Sequence, residues 1–471
     1  MRRAERIAAA RMAAVVAALL AGLAGCSLAP PYHVPATPLA AAYKESGPWQ
    51  PAVADTAPAA WWQAFGDPVL DALEARIAAN PDLAAAAARY AQARGLVRET
   101  RAAQLPAIDA AATGDRMRVS AGRPLAPNGA ATYTDVRLGA SLSYELDLFG
   151  RIGNAVRADA AAAQAGAGDL AAVRLGLQAR LADTYFQMRG LDARITLLRE
   201  TVAAFARADA LTNTRHTGGI ASGIDVGRSA ALLASARAEY SATVAQRATL
   251  EHAVAVLVGE TPSTFSLPVA GALRPAPPVP AGLPSTLLQR RPDIIAAERR
   301  IAAANARIGV ARAAFFPALT LGAAGGFESP GSGILAAPNA FWALGPLSAA
   351  LSIFDGGARR ARVAISRAQY DEAAAGYRAT VLAAFREVED DLARARSLAD
   401  QERQQAAATR AAERTRDLAL IRYRDGASDY LEVVTAQTAA LDAQRALLEV
   451  QTARLQVAVD SARATGGGAP A

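Results

Sequence analysis

The most regular pattern in the chain is an alternation over residues 135–149. Val136, Leu138, Ala140, Leu142, Tyr144, Leu146 and Leu148 alternate with Asp135, Arg137, Gly139, Ser141, Ser143, Glu145 and Asp147. A period of two with one apolar and one polar face predicts a strand. The run exceeds the roughly 9–11 residues that a tilted strand needs to cross a bilayer. A polar inner face and an apolar outer face are what a water-filled membrane barrel requires. Weaker patterns predict companion strands over 108–119, 319–327 and 347–354. Loops carrying Gly and Pro, over 121–130 and 328–339, would join them as outward-facing hairpins.

A helical period governs most of the rest. Long helices are expected over 152–213, 223–258, 358–424 and 430–463. Some sixty residues at about 1.5 Å each reach roughly 90 Å, far beyond an ordinary globular helix. Leu431, Val434, Thr438, Leu441, Arg445, Leu448, Thr452, Leu455 and Val459 recur at alternating steps of three and four. Tyr370, Ala374, Tyr377, Val381, Ala384 and Val388 do the same on the preceding helix. These are heptad seams, and the helices read as coiled-coil partners.

The chain also repeats itself. The stretch opening at Asn80, Pro81 and Asp82 aligns with Arg291, Pro292 and Asp293, and Leu105-Pro106 with Phe316-Pro317. Both give an offset of 211 (292 − 81 and 317 − 106). Further on, Arg215 to Gly219 aligns with Arg422 to Gly426, at an offset of 207 (422 − 215). Each half runs helix, two strands, two very long helices. The first helix of each half starts at Pro81 or Pro292, where proline suits the first turn, and ends before Pro106 or Pro317. Four strands cannot close a barrel, and in a membrane every edge must be paired, so copies of the chain must assemble. Two copies would give a side-chain-filled bore and three a channel; composition does not choose between them.

Composition refines this picture. The 471 residues are 52% hydrophobic and only 6% aromatic, with alanine dominant and Lys44 the one lysine. Of the formal charge of +7, Arg2, Arg3, Arg6 and Arg11 against Glu5 supply three, leaving about +4. No basic block with interleaved aromatics appears, so nucleic acid is not an expected partner. The basic start precedes an apolar run over 12–20, too short to span a bilayer, and then Leu23-Ala24-Gly25-Cys26. That ending resembles the bacterial lipobox, in which the cysteine becomes a lipidated first residue. Cys26 is the one cysteine, so neither a disulfide nor a thiolate metal site is available. No run of eighteen apolar residues follows it, so membrane crossing would be by strands.

Several motifs together resemble the TolC-like outer-membrane factors, in particular the lipoprotein (NodT-type) branch serving resistance-nodulation-division pumps. They are Trp61-Trp62-Gln63-Ala64-Phe65-Gly66-Asp67-Pro68, Arg290-Arg291-Pro292-Asp293-Ile294 with Ala297-Glu298-Arg299-Arg300, and Ala314-Phe315-Phe316-Pro317. Leu148-Phe149-Gly150-Arg151, Ile353-Phe354-Asp355-Gly356-Gly357, and Arg422-Tyr423 with Gly426 and Tyr430-Leu431 complete the set. The resemblance covers essentially all of the chain after Cys26. It implies an α+β membrane protein: a homotrimer whose twelve strands form an outer-membrane β-barrel, four per chain. A long periplasmic α-helical coiled-coil barrel continues it. The domains would be a signal peptide over 1–25, a lipid anchor and equatorial segment over 26–80, and a first repeat over 81–258. An equatorial linker over 259–290, a second repeat over 291–463 and a disordered tail over 464–471 follow.

The implied function is the passive exit duct of a tripartite efflux pump for drugs or other small toxic compounds. The alternative is the duct of a type I protein secretion or metal-efflux system. Implied partners are a periplasmic adaptor, an inner-membrane resistance-nodulation-division transporter and outer-membrane lipid. No cofactor is expected beyond the diacylglycerol and N-acyl chains on Cys26.

The family closes its tunnel at the helical tips, which here hold Arg215, Asp225, Tyr423, Asp429 and Glu432. Gly219 and Gly426 suit a left-handed residue ending a helix. Ser222 precedes Asp225, and Asp429 precedes Glu432, by three residues, the spacing of a capping box. The same acids would form constriction rings under three-fold symmetry, where like charges repel. Thr435 and Thr438 stand where relatives often carry aspartate and arginine. His33, His216 and His252 lack metal-ligand spacing. No nucleophile–base motif stands out, and an enzyme is not expected.

Overall fold

The computed structural model describes residues 27–36, 42–45, 50–51, 60–122, 130–270, 272–278, 280–281, 290–330 and 334–467. The proposed signal segment and Cys26 lie outside the described residues, as do most of the 121–130 loop and Gly331, Ser332 and Gly333.

Two repeats are laid out in matching elements. Helix α1 (Pro68–Arg76) precedes the first repeat. The first repeat follows with α2 (Pro81–Ala102), β1 (Ala107–Val119), β2 (Ala131–Leu146), α3 (Arg151–Thr217) and α4 (Gly223–Leu257). The second has α5 (Pro292–Ala313), β3 (Ala318–Ser329), β4 (Ala340–Ala350), α6 (Ala358–Arg424) and α7 (Tyr430–Ala464). Helices α2 and α5 have 22 residues each, α3 and α6 have 67, and α4 and α7 have 35. The offset is 211 at Pro81 and Pro292 but 207 at Arg151 and Ala358, so the repeats differ in length only across the strands.

Two compact units cut across these repeats. The first comprises the described parts of residues 1–35, 90–166 and 297–377, and the second those of 36–89, 167–296 and 378–471.

The first unit contains one antiparallel sheet in the order β1-β2-β3-β4. Its register puts like with like. Leu142 faces Ile108 and Ala323, which faces Leu344; Ala140 faces Ala110 and Gly325, which faces Trp342. The opposite face aligns Arg137 with Thr113 and Glu328, and Asp135 with Asp115. Arg137 pairs with Glu328 at 3.0 Å. The apolar face is open: Trp342 and Leu344 are 84% and 78% exposed. Gly139 and Gly326 sit opposite each other because a Cβ on Gly326 would lie 2.2 Å from the Leu138 carbonyl.

The strands depart from expectation at two places. The fourth strand, expected over 347–354, is Ala340–Ala350. A bulge between Leu321 and Ala323 lets it run through Gly345 and Pro346, with Gly345 at φ +118°. The strand expected over 135–149 starts earlier and stops at Leu146. Asp147 turns instead to cap α3, accepting from the backbone N–H of Ile152 (3.1 Å) and Gly153 (2.6 Å).

In the second unit the Trp-Trp motif packs its own core. Trp61, Phe65, Leu70, Leu73 and Ile77 bury against Leu181, Tyr185, Phe186, Val254 and Leu455. Asp67 closes this core with both oxygens: Oδ1 accepts from Val69 N–H at the start of α1, and Oδ2 from the Tyr185 hydroxyl at 2.8 Å. The mid-chain signature has a comparable role. Buried Arg291 donates to Asp293 (2.7 Å), Glu387 (2.8 Å) and the Ala464 carbonyl (3.2 Å), tying α5 to α6 and to the end of α7. Ala464, where the tail is expected to start, is the last residue of α7 and fully buried.

The heptad seam on α6 is buried at Tyr377, Val381, Ala384 and Val388. On α7 the seam was misplaced near the turn: Leu431 is 46% exposed, and Tyr430, Val433, Ala436 and Ala440 are buried in its stead. There Tyr430 packs on Tyr423, while Leu441, Leu455 and Val459 of the expected seam are buried. Among the described residues, no helix is long and apolar enough to cross a membrane.

Candidate functional site

The tip residues lie in the second unit, at the turns α3–α4 and α6–α7. Both turns close the same way. Gly219 (φ +74°) donates to the His216 carbonyl and Ile220 to that of Arg215; Gly426 (φ +78°) donates to Tyr423 and Ala427 to Arg422. This double bond around a left-handed glycine is the Schellman ending. The following helices are capped by side chains. Ser222 and Asp225 form a full capping box at α4. At α7 only half a box forms: Asp429 accepts from Glu432 N–H at 3.0 Å. The Glu432 carboxylate faces Arg422 at 3.6 Å. The reciprocal bond from the Asp429 N–H to the Glu432 side chain, expected of a full box, is not formed.

Arg215 joins the two turns. Its Nη1 donates to the Tyr423 carbonyl at 2.9 Å and its Nη2 to the Arg424 carbonyl at 3.0 Å. The same guanidinium lies 4.4 Å from the Tyr423 ring centroid. A cation over carbonyls that end a helix also answers that helix's negative dipole end. Tyr423 in turn packs on Tyr430, with ring centroids 5.4 Å apart, beside Val433, Leu211 and Leu420. Burial raises the Tyr430 hydroxyl above its ordinary range. Of the five expected tip residues, Arg215 and Tyr423 are thus in direct contact, Asp429 and Glu432 share a cap, and Asp225 stays on its own turn with Arg228 at 3.9 Å. Thr435 bonds back to the Leu431 carbonyl at 2.9 Å and forms no ionic contact. His216 Nδ1 lies 2.8 Å from the Ala221 carbonyl, a turn contact.

Sequence reasoning missed a second cluster in the same unit. Asp192, fully buried, accepts from Arg189 (2.8 Å), Arg247 (2.9 Å) and Ala270 N–H (3.1 Å). Those arginines reach onward to the Pro268 and Leu267 carbonyls at 2.9 and 2.6 Å. The clasp fastens the connector after α4 onto α3 and α4.

Family comparison decides what this architecture belongs to. The family model described as outer membrane efflux protein matches residues 72–260 and 283–467. The chain belongs to the outer membrane efflux protein family. Outer membrane protein OprJ of Pseudomonas aeruginosa is 34% identical, over 96% of this chain and 95% of that protein. The toluene efflux pump outer membrane protein TtgC of Pseudomonas putida is 34% identical, over 95% and 93% respectively. Among solved structures, the outer-membrane channel OprN superposes with a TM-score of 0.87 at 30% identity, covering 94% of this chain and 99% of that one. The chain is thus an outer-membrane efflux protein that extends into the periplasm.

Proposed function

We propose that three copies join their sheets edge to edge into one twelve-stranded barrel, the exit duct of a tripartite efflux pump. The observation carrying this reading is the sheet itself. One face is apolar and open, the other polar, and among the described residues β1 and β4 each pair on one side only. Lipid tolerates neither an unpaired edge nor a polar outer face, so closure through further copies satisfies both. The long helices α3, α4, α6 and α7 continue the duct in the periplasm. Substrates leave passively, and an inner-membrane transporter of the resistance-nodulation-division class supplies the energy. The toluene pump component among the relatives supports small toxic compounds as cargo.

The tip turns act as the periplasmic gate, held by Arg215 on Tyr423 and by Glu432 with Arg422. Exposed Ile220, Ile224, Ile421 and Leu431 beside them offer an apolar rim to a periplasmic adaptor. Cys26 carries the acyl chains. Its neighbour Ser27 donates to Asn154 Oδ1 at 2.8 Å, beside the start of α3. Labelled palmitate incorporated by wild type and lost in Cys26→Ser tests the anchor. Ion conductance in planar bilayers tests the duct, and its absence would defeat the reading.

A further inference from the structure

A groove of about 480 Å³ lies in the first unit, where helix ends approach the strands. The opening turns of α3 supply Arg151, the closing turns of α5 supply Arg307 and Val310, and the opening turns of α6 supply Arg362 and Ile365. The one acid in the lining, Asp159, accepts from the Thr100 hydroxyl at 2.6 Å. Arg151 is engaged by Glu145 at 2.6 and 2.8 Å. Arg307 and Arg362 are exposed and form no ion pair among the described residues. Two free guanidiniums therefore share a concave site with an apolar wall.

The flank toward the strands has the opposite character. Phe315, Phe316, Ile353 and Phe354, on the segments linking helix and strand, are exposed, Phe354 at 89%. Phe316 stacks on Phe149 at 4.6 Å, and Arg359 lies 5.5 Å from the Phe315 ring. The sequence of apolar strand, aromatic belt and then arginine matches the profile of a bilayer from hydrocarbon through interface to headgroup. Guanidiniums at that depth meet phosphate oxygens, whose paired geometry fits the guanidinium fork.

We propose that this groove takes the phosphate of an anionic phospholipid in the leaflet facing the periplasm. Arg307 and Arg362 donate to the phosphate oxygens, and the acyl chains lie along the apolar face of the sheet. This rests on the barrel reading, since only a membrane-spanning sheet brings the groove to headgroup depth. The positive lining is what selects an anionic headgroup over a zwitterionic one.

Native mass spectrometry of the purified full chain in neutral detergent tests it, with phosphatidylglycerol, phosphatidylcholine of the same acyl chains, and inorganic phosphate as probes. The expected result is retention of phosphatidylglycerol by wild type, weakened on the order of thirtyfold in Arg307→Gln/Arg362→Gln, from the loss of two juxtamembrane cations. The charge-preserving Arg307→Lys/Arg362→Lys variant binds between the two, keeping the charge and losing the fork. Equal retention by wild type and the Gln variant would overturn the proposal, as would equal binding of phosphatidylcholine. Displacement by millimolar inorganic phosphate would overturn it in favour of a free-anion site. Conductance of the same wild-type sample separates the two readings. A conducting wild type with unchanged lipid binding in the Gln variant sinks the groove alone, and a wild type that never conducts sinks the barrel and the groove together.

Discussion

Arg215, in the last turn of α3, donates both arms of its guanidinium to main-chain carbonyls at the end of α6 and covers the Tyr423 ring at 4.4 Å. Its repeat counterpart, Arg422, points to Glu432. Two arginines equivalent in sequence therefore do different work, one bridging the turns and one holding a single turn. Replacing Arg215 by Ala removes two hydrogen bonds, worth roughly 1–3 kcal/mol together. Trypsin cleavage at Arg424 is expected to accelerate by about five- to 150-fold, the population change that such a loss gives. An unchanged cleavage rate would contradict the bridging role.

Buried Asp192 balances two buried arginines; Asp192→Ala leaves Arg189 without its carboxylate, while Arg247 keeps only Glu251 at 2.7 Å. Breaking a buried pair from one side costs about 3–5 kcal/mol. The expected outcome is a clear drop in the urea midpoint of the purified protein, with early proteolysis in the 260–270 connector.

Glu74 supplies a pH dependence. Both its carboxylate oxygens lack a partner among the described residues, and burial, with Asp71 beside it, pushes it up to about 9 from 4.5. The folded state therefore holds a proton that the unfolded state releases. Its contribution is fully present below about pH 4.5 and is lost progressively as pH rises toward about 9. Glu74→Gln, neutral throughout, is expected to be more stable than wild type at pH 8, with the difference vanishing near pH 4.5. Parallel stability curves for the two proteins would refute the assignment.

On the sheet, the two faces predict opposite tolerances. Leu138→Arg on the apolar face costs roughly 2–4 kcal/mol at mid-membrane depth. It is expected to lower the heat-modifiable oligomer recovered from outer membranes. Ser141→Arg on the other face is expected to insert normally.

Elements fixed by local chemistry were legible in the sequence. Pro81 and Pro292 begin α2 and α5, the left-handed glycines end α3 and α6, and the alternation through Val136 to Leu146 is the core of β2. What was misread depends on partners distant in sequence. Strand β4 starts at Ala340, opposite Phe327, and passes a register shift opposite Leu321 and Ala323. At the start of α7, Tyr430 rather than Leu431 is buried, against Tyr423, and the Glu432 carboxylate faces Arg422. The Asp192 clasp left no local signal, because Arg189, Arg247 and the 267–270 backbone converge only in the fold.

The central claim is that this chain forms a channel whose periplasmic end is held shut by the tip residues. Single-channel recording of purified wild type and Tyr423→Ala/Glu432→Ala in planar bilayers addresses it directly. The account predicts a small conductance for wild type and a clearly larger one for the double variant. No conductance from either protein, or equal conductance from both, would contradict it.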